Sequence, residues 1–444
     1  MLKVDNKHIK DTLLLAYPVA IGQFGHIVLG ITDSIMVGKV NAESLAASAL
    51  VNSLLFLVII FGIGLSTAIS PLVAIAKGGG KHNECGTFLR QGIIANVSFS
   101  IILVVVILYL TDLIDYLDQP KEIVSLAKSY MRIMTLSTIP FIVFQSFRQF
   151  LEGLSIMRPA MYVILFSTLI NVFGNWLLIY GNWGFPALGL DGAGYASFIT
   201  RTSMMIMLIV FVVRSKNLRE YNPSLRIRKI DWKIIRRIFA IGIPSGFTSF
   251  FEIAAFSISA IMIGWISTSA LAAHQIALSV AGTSFMIILG ISQAATIRVG
   301  NFLGEKNYTQ LRKAGFNAIA IAAAIMFLFG VLFVIFRFTI PLIFINEAEV
   351  VLIAASLLIV AALFQIFDGV QATGLGALKG ITDVKVPMYI TFFAYWVVAI
   401  PSAYCLGFIF KLGVIGIWIG LSIGLILAAV LFSVRFYTRT KKLY

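Results

Sequence analysis

Apolar runs of about 18 residues or more recur along this chain, and no other feature restricts its folding so tightly. As a helix, such a run rises about 1.5 Å per residue and crosses the roughly 30 Å of hydrocarbon in a bilayer. The runs lack the alternation of a membrane barrel, so helices remain as the structure that satisfies every backbone group inside hydrocarbon. Of the 444 residues, 59% are hydrophobic and 12% are charged, which is too little polar surface to coat a soluble particle. The sequence therefore reads as an all-α integral membrane protein.

Turn residues, charge clusters and run lengths place twelve spans at 12–38, 45–76, 88–111, 123–151, 159–181, 192–213, 236–264, 271–302, 312–338, 349–377, 386–409 and 413–436. The N-terminal stretch MLKVDNKHIKD is polar and short. The apolar stretch after it runs past Asp33 without a small-residue cleavage site, so it is expected to be a span and not a removed signal.

The net charge of +15 sits in short loops and in the tails. The segment after the sixth span carries Arg214, Lys216, Arg219, Arg226, Arg228, Lys229, Lys233, Arg236 and Arg237, whereas the loop after the third carries Asp112, Asp115 and Asp118. By the positive-inside rule the first is cytoplasmic and the second external, and both termini are expected inside a plasma (inner) membrane. With no soluble domain to present a basic face, a nucleic-acid partner is excluded. Membrane lipids are the expected surroundings. Cys85 and Cys405 offer neither a disulfide framework nor metal-ligand spacing.

The two halves repeat. YPVAIGQFGHIVLGITDSIMVG aligns with IPSGFTSFFEIAAFSISAIMIG, so Pro18 meets Pro244 and His26 meets Glu252. Gly64 and Ser66 likewise meet Gly290 and Ser292, and LEGLSIMRPAMY meets LKGITDVKVPMY. A duplicated unit with an even number of spans enters the membrane twice in the same orientation. This predicts two pseudo-symmetric six-helix lobes around a central cavity, able to open to either side. The lobes are expected at 1–213 and 236–444, joined by a basic cytoplasmic linker at 214–235. One chain already holds both lobes, so a monomer is expected.

Three carboxylates interrupt the apolar spans: Asp33 in GITDSIMVG, Glu252 in SFFEIAAFS and Asp368 in LFQIFDGVQATGLGALKG. An ionised Asp at the bilayer centre costs roughly 2.5 to 3.5 kcal/mol, so such groups face water, a partner or an ion. A carboxylate held away from bulk water can take up a proton, or it can hold Na⁺ together with amide and hydroxyl oxygens. At about 100 degrees per residue, Gln23, His26 and Asp33 share one face of the first span. Ser245, Ser249, Glu252 and Ser259 form a stripe on the seventh, and Gln365 and Asp368 project together on the tenth. Asn171 and Asn175 lie four apart on the fifth, where their amides can converge on Asp33 or on a ligand, or join helices. His26 and His274 read first as packing residues. Arg148 and Arg298 read as snorkelling to an interface, and Arg201 lies deeper without a reading of its own. Aromatic side chains facing the cavity would suit flat cations.

AKGGGKHNE lacks the spacing and the hydroxyl of a P-loop. No nucleophile and base stand at a defined spacing, and no zinc motif is present, so the chain is not read as an enzyme and no cofactor is expected.

TDSIMVG in the first span, FFE in the seventh, QIFDGVQATGLGALKG in the tenth and the repeat around Pro18 and Pro244 resemble the multidrug and toxic compound extrusion (MATE) family, nearest its NorM-like branch. The resemblance covers essentially the whole chain. It implies antiport of cationic or amphipathic drugs against Na⁺ or H⁺ by alternating access. It further implies cation coupling at Glu252 and Asp368, and a second site around Asp33, where the family's other positions read Asn171, Asn175 and Ser197. Asn175 stands where some members have an acid, which weakens a Na⁺ site there and favours Glu252 and Asp368. Two rival readings are an exporter or flippase of a specific metabolite or lipid-linked glycan and, less favoured, a channel.

Overall fold

The computed structural model describes residues 6–116, 119–226 and 229–443. Asp118 and Arg228, counted above among the loop charges, lie outside the described residues. The described elements are helices throughout. The first eight are α1 (Asn6–Gly38), α2 (Ala42–Ser66), α3 (Ile69–Gly78), α4 (His82–Leu113), α5 (Lys121–Leu136), α6 (Thr138–Gly153), α7 (Arg158–Leu178) and α8 (Gly189–Arg214). After the basic segment come α9 (Trp232–Gly264), α10 (Thr268–Gly304), α11 (Tyr308–Ile335), α12 (Thr339–Leu342), α13 (Ala348–Gly380), α14 (Lys385–Phe392), α15 (Ile400–Tyr404) and α16 (Gly413–Lys441).

Among the described residues, eleven helical stretches are long and apolar enough to cross a membrane. The exception among the twelve expected spans is the fourth, at 123–151, which falls on α5 and α6, of 16 residues each and divided at Ser137. The sequence Thr135–Pro140 explains the division. Thr135 and Ser137 turn their hydroxyls back onto the carbonyls of Met131 and Met134, each at 2.6 Å, and Pro140 has no N–H to return to the preceding turn. The second expected span is likewise stepped between α2 and α3, where Ser66 and Thr67 bond back to Gly62 and Gly64.

Two compact units are present, and neither follows the chain halves. One consists of Met1–Ala20 with Phe247–Tyr444, and the other of Ile21–Gly246. In this division α1 and α9 each contribute to both units, changing over two residues past Pro18 and Pro244. A mid-helix proline removes one backbone hydrogen bond and crowds the carbonyl four residues back, so it marks where a helix can bend.

The duplication is visible in the packing within each unit. In the second unit a Cβ added to Gly64 would stand 2.4 Å from Gly246 Cα; in the first, a Cβ added to the equivalent Gly290 would stand 2.5 Å from the Ala16 carbonyl. Backbone meets backbone in both places, so only glycine fits. A Cβ added to Gly153 would lie 2.7 Å from the Ser70 carbonyl, and one added to Gly380 would lie 2.7 Å from that of Thr296. Two turns repeat as well: the bonds Lys81 N–H to Ala76 O and Asn307 N–H to Phe302 O are both 2.9 Å.

The described parts of the basic segment on either side of residues 227–228 are docked. Arg90 donates to the carbonyls of Asn222 and Ser224 at 3.0 and 3.1 Å. Gln91 donates to the Lys229 carbonyl at 2.8 Å and accepts from the Asp231 N–H at 3.0 Å. The structure also corrects the reading of two arginines. Arg148 does not snorkel; its Nε lies 2.7 Å from Glu152 Oε1, with both side chains buried. Arg298 is buried too, and donates at 2.7 Å to the His8 carbonyl and to Thr12 Oγ1.

Candidate functional site

Each unit holds its own acids. In the unit 21–246, α1 presents Asp33 to α7 and α8. Asn175 Nδ2 donates to Asp33 Oδ1 at 2.5 Å, and the Ser197 hydroxyl donates to Oδ2 at 3.5 Å. Asn175 Nδ2 also reaches Asn171 Oδ1 at 3.2 Å. The two asparagines, four apart on one helix face, do converge on Asp33. Both are fully buried, and among the described residues the far ends of their amides, Asn171 Nδ2 and Asn175 Oδ1, have no hydrogen-bond partner. Gln23 and His26 share the helix with Asp33, but among the described residues neither hydrogen-bonds it. His26 instead lies within electrostatic reach of Arg148 and Arg201.

In the other unit, Glu252 on α9 receives a hydrogen bond at 3.4 Å from the phenol of Tyr395, which also stands 3.0 Å from Gln371 Oε1. A phenol has one proton to donate. With the Gln371 amide turned so that its NH₂ donates to the phenol oxygen, a continuous chain runs from Gln371 through Tyr395 to Glu252. Asp368, one turn before Gln371 on α13, lies within electrostatic reach of Glu252. It is 8% exposed, and among the described residues no side chain donates a hydrogen bond to it. Gln365 does not join this group: fully buried, it accepts from Ser284 on α10, and among the described residues its Nε2 has no partner. Ser245 and Ser259 turn their hydroxyls onto their own helix at 2.8 and 2.9 Å. His274 is a packing residue, its Nδ1 accepting from Trp418 Nε1 at 3.1 Å.

Tyr395 and Gln371 carry this site, and sequence reasoning singled out neither. Gln371 could have been found from its spacing, three residues from Asp368 on one helix face. Tyr395 could not, because it sits in the run FFAYWVV, where every neighbour is an apolar or aromatic span residue. Its position depends on a π-helical stretch, Phe393–Ala399. Pro401 follows closely and has no N–H to close an α-helical bond, which favours the wider turn. Beside Glu252, Phe251 packs edge-on against Phe392 at 5.1 Å, and Trp396 Nε1 donates to the Phe251 carbonyl at 3.1 Å.

Duplicated apolar helices with acids buried inside each copy define a multi-pass membrane transporter. The chain belongs to the MatE family, whose model matches residues 18–177 and 244–405, and it stands with that family's NorM-like members. It is 33% identical to "Probable multidrug resistance protein NorM" of Mesorhizobium japonicum, over 94% of this chain and 91% of the relative. It is also 33% identical to "Multidrug resistance protein MdtK" of Photorhabdus laumondii, over 93% and 92%. The fold matches the crystal structure of the eukaryotic MATE transporter AtDTX14 with a TM-score of 0.87, at 22% identity and covering 98% of each chain.

Proposed function

We propose that the protein is a multidrug exporter of the plasma membrane, with both termini cytoplasmic. In this reading it exchanges cationic or amphipathic drugs for Na⁺ or H⁺ by alternating access across twelve spans. The observation that carries this is Asp368, a buried carboxylate to which no described residue donates a hydrogen bond, within electrostatic reach of a second carboxylate, Glu252. Two like charges in a low-dielectric site require a proton or a cation to neutralise them. A site whose charge balance depends on a mobile cation can change its preferred conformation as that cation arrives or leaves. The names of the NorM and MdtK relatives supply the cargo class, and the Phe251, Phe392 and Trp396 rings beside Glu252 suit flat cations. Asp33, with Asn171, Asn175 and Ser197, is the second coupling site. Because its carboxylate already accepts hydrogen bonds, its demand for a cation is weaker than that of Asp368.

Proteoliposomes loaded with an ethidium-like dye test this reading under an inward Na⁺ gradient and then an inward H⁺ gradient. Efflux driven by one gradient and not the other identifies the coupling ion; efflux under neither sinks the antiport reading. Tyr395→Phe removes the donor to Glu252 without altering the packing of the ring. A hydrogen bond to a charged group contributes about 1.5–3 kcal/mol. The ion concentration for half-maximal efflux is therefore expected to shift by about tenfold or more, read from titrations in Na⁺ and in pH. An unchanged titration would remove Tyr395 from the site.

A further inference from the structure

The turn after α13 carries an acid that its backbone does not require. Asp383 N–H closes this turn onto the Leu378 carbonyl at 3.0 Å, just after Thr382 at a φ of 57°. The duplicated turn after α6 has the same form: Ile156 N–H lies 2.9 Å from the Leu151 carbonyl, just after Ser155 at a φ of 62°. Isoleucine closes the one turn as well as aspartate closes the other, so the reason for a carboxylate at 383 lies in its side-chain contacts.

Those contacts are two arginines of the last helix. Arg435 and Arg439 stand one turn apart on α16 and share a face, and the Nε of each donates to the same oxygen, Asp383 Oδ2, at 2.8 and 3.0 Å. The Asp383 side chain is 10% exposed, against 25% for Arg435 and 49% for Arg439, so the acid lies beneath and the guanidinium groups reach outward. One carboxylate oxygen engages one N–H of each fork, and among the described residues the Nη groups of both arginines have no hydrogen-bond partner. The three groups carry one net positive charge, to which the exposed Lys385 and Lys442 add.

Two guanidinium forks fixed side by side offer paired donors that match the oxygens of a phosphate. The surroundings say where that phosphate comes from. The arginines lie near the end of a helix long and apolar enough to cross a membrane, and one to two turns back along it Val430 and Val434 are 50% and 52% exposed. Basic groups at a membrane surface attract anionic lipids, and a lipid carries its phosphate directly above apolar chains.

We propose that Arg435 and Arg439, held together on Asp383, bind the phosphate of an anionic phospholipid whose acyl chains lie along Val430 and Val434. The proposal goes beyond the export reading and does not depend on it.

The test titrates the full chain, purified in detergent and stripped of lipid, with fluorescently tagged phosphatidylglycerol and with phosphatidylcholine carrying the same tag. Polarisation is expected to show phosphatidylglycerol half-saturating at an about tenfold lower mole fraction. Arg435→Gln combined with Arg439→Gln should bring the two lipids together. Asp383→Ala separates a built site from bare charge. It keeps both arginines and raises the net charge, so attraction by charge alone would tighten phosphatidylglycerol binding, whereas losing the clamp should weaken it. Equal binding of the two lipids by the wild type overturns the proposal without any variant. A preference kept by the double arginine variant, or binding by Asp383→Ala as tight as wild type or tighter, overturns it too. Glycerol phosphate, which has the phosphate without the chains, should fail to displace the tagged lipid at equal concentration; displacement would reassign the clamp to a soluble phosphate ester and overturn the lipid assignment.

Discussion

Asp368→Asn is expected to insert, fold and lose ion-driven efflux down to the passive leak of empty liposomes. Asparagine has nearly the same shape, so the packing of α13 is kept, while the group that a proton or Na⁺ would neutralise is gone. The same change should leave the protein at least as stable as the wild type. Among the described residues none donates a hydrogen bond to Asp368, which lies within reach of the Glu252 charge, so an amide removes both a desolvated charge and a repulsion. Lost transport with an unchanged or raised unfolding midpoint in detergent is the signature of a residue kept for function at the expense of stability. Wild-type efflux from this variant would move the coupling site away from α13.

Glu152→Leu should have the opposite character, with a large loss of stability. Arg148 and Glu152 lie four apart on α6, their side chains 7% and 2% exposed and 2.7 Å apart. Removing the acid alone leaves a buried guanidinium without its counter-charge, which costs about 3–5 kcal/mol. Arg148→Met combined with Glu152→Leu should recover most of that loss, because two apolar side chains of similar volume need no counter-charge. Among the described residues Glu152 Oε2 already has no hydrogen-bond partner, so the double variant is expected to match the wild type in thermal unfolding. A single variant within about 1 kcal/mol of wild type would show that the pair contributes little.

Much of this molecule was legible in its sequence. The apolar run lengths gave helices long enough to cross a membrane, and the internal repeat paired Gly64 with Gly290, two positions where the structure then brings backbone against backbone. Asp33, Glu252 and Asp368 stood out because a charge inside hydrocarbon is costly wherever it occurs. Four-residue spacing also brought Asn171 and Asn175 to the same place, beside Asp33. These are properties of one helix at a time, and hydropathy and periodicity report them.

What each charge touches was decided only by tertiary structure. Arg148 and Arg298 were expected at an interface and are buried against Glu152 and the His8 carbonyl. Tyr395 meets Glu252 across a separation of 143 residues, and Asn175 meets Asp33 across 142. Such meetings depend on how far each helix is rotated about its own axis, and that rotation is set by packing against neighbours distant in the chain. It also depends on where a helix departs from regular geometry, as at the Ser137 break and the π-helical turn at Phe393–Ala399. The cost of desolvating a charge marks a residue in the sequence, but the partner that offsets the cost is chosen by the packing of helices against one another.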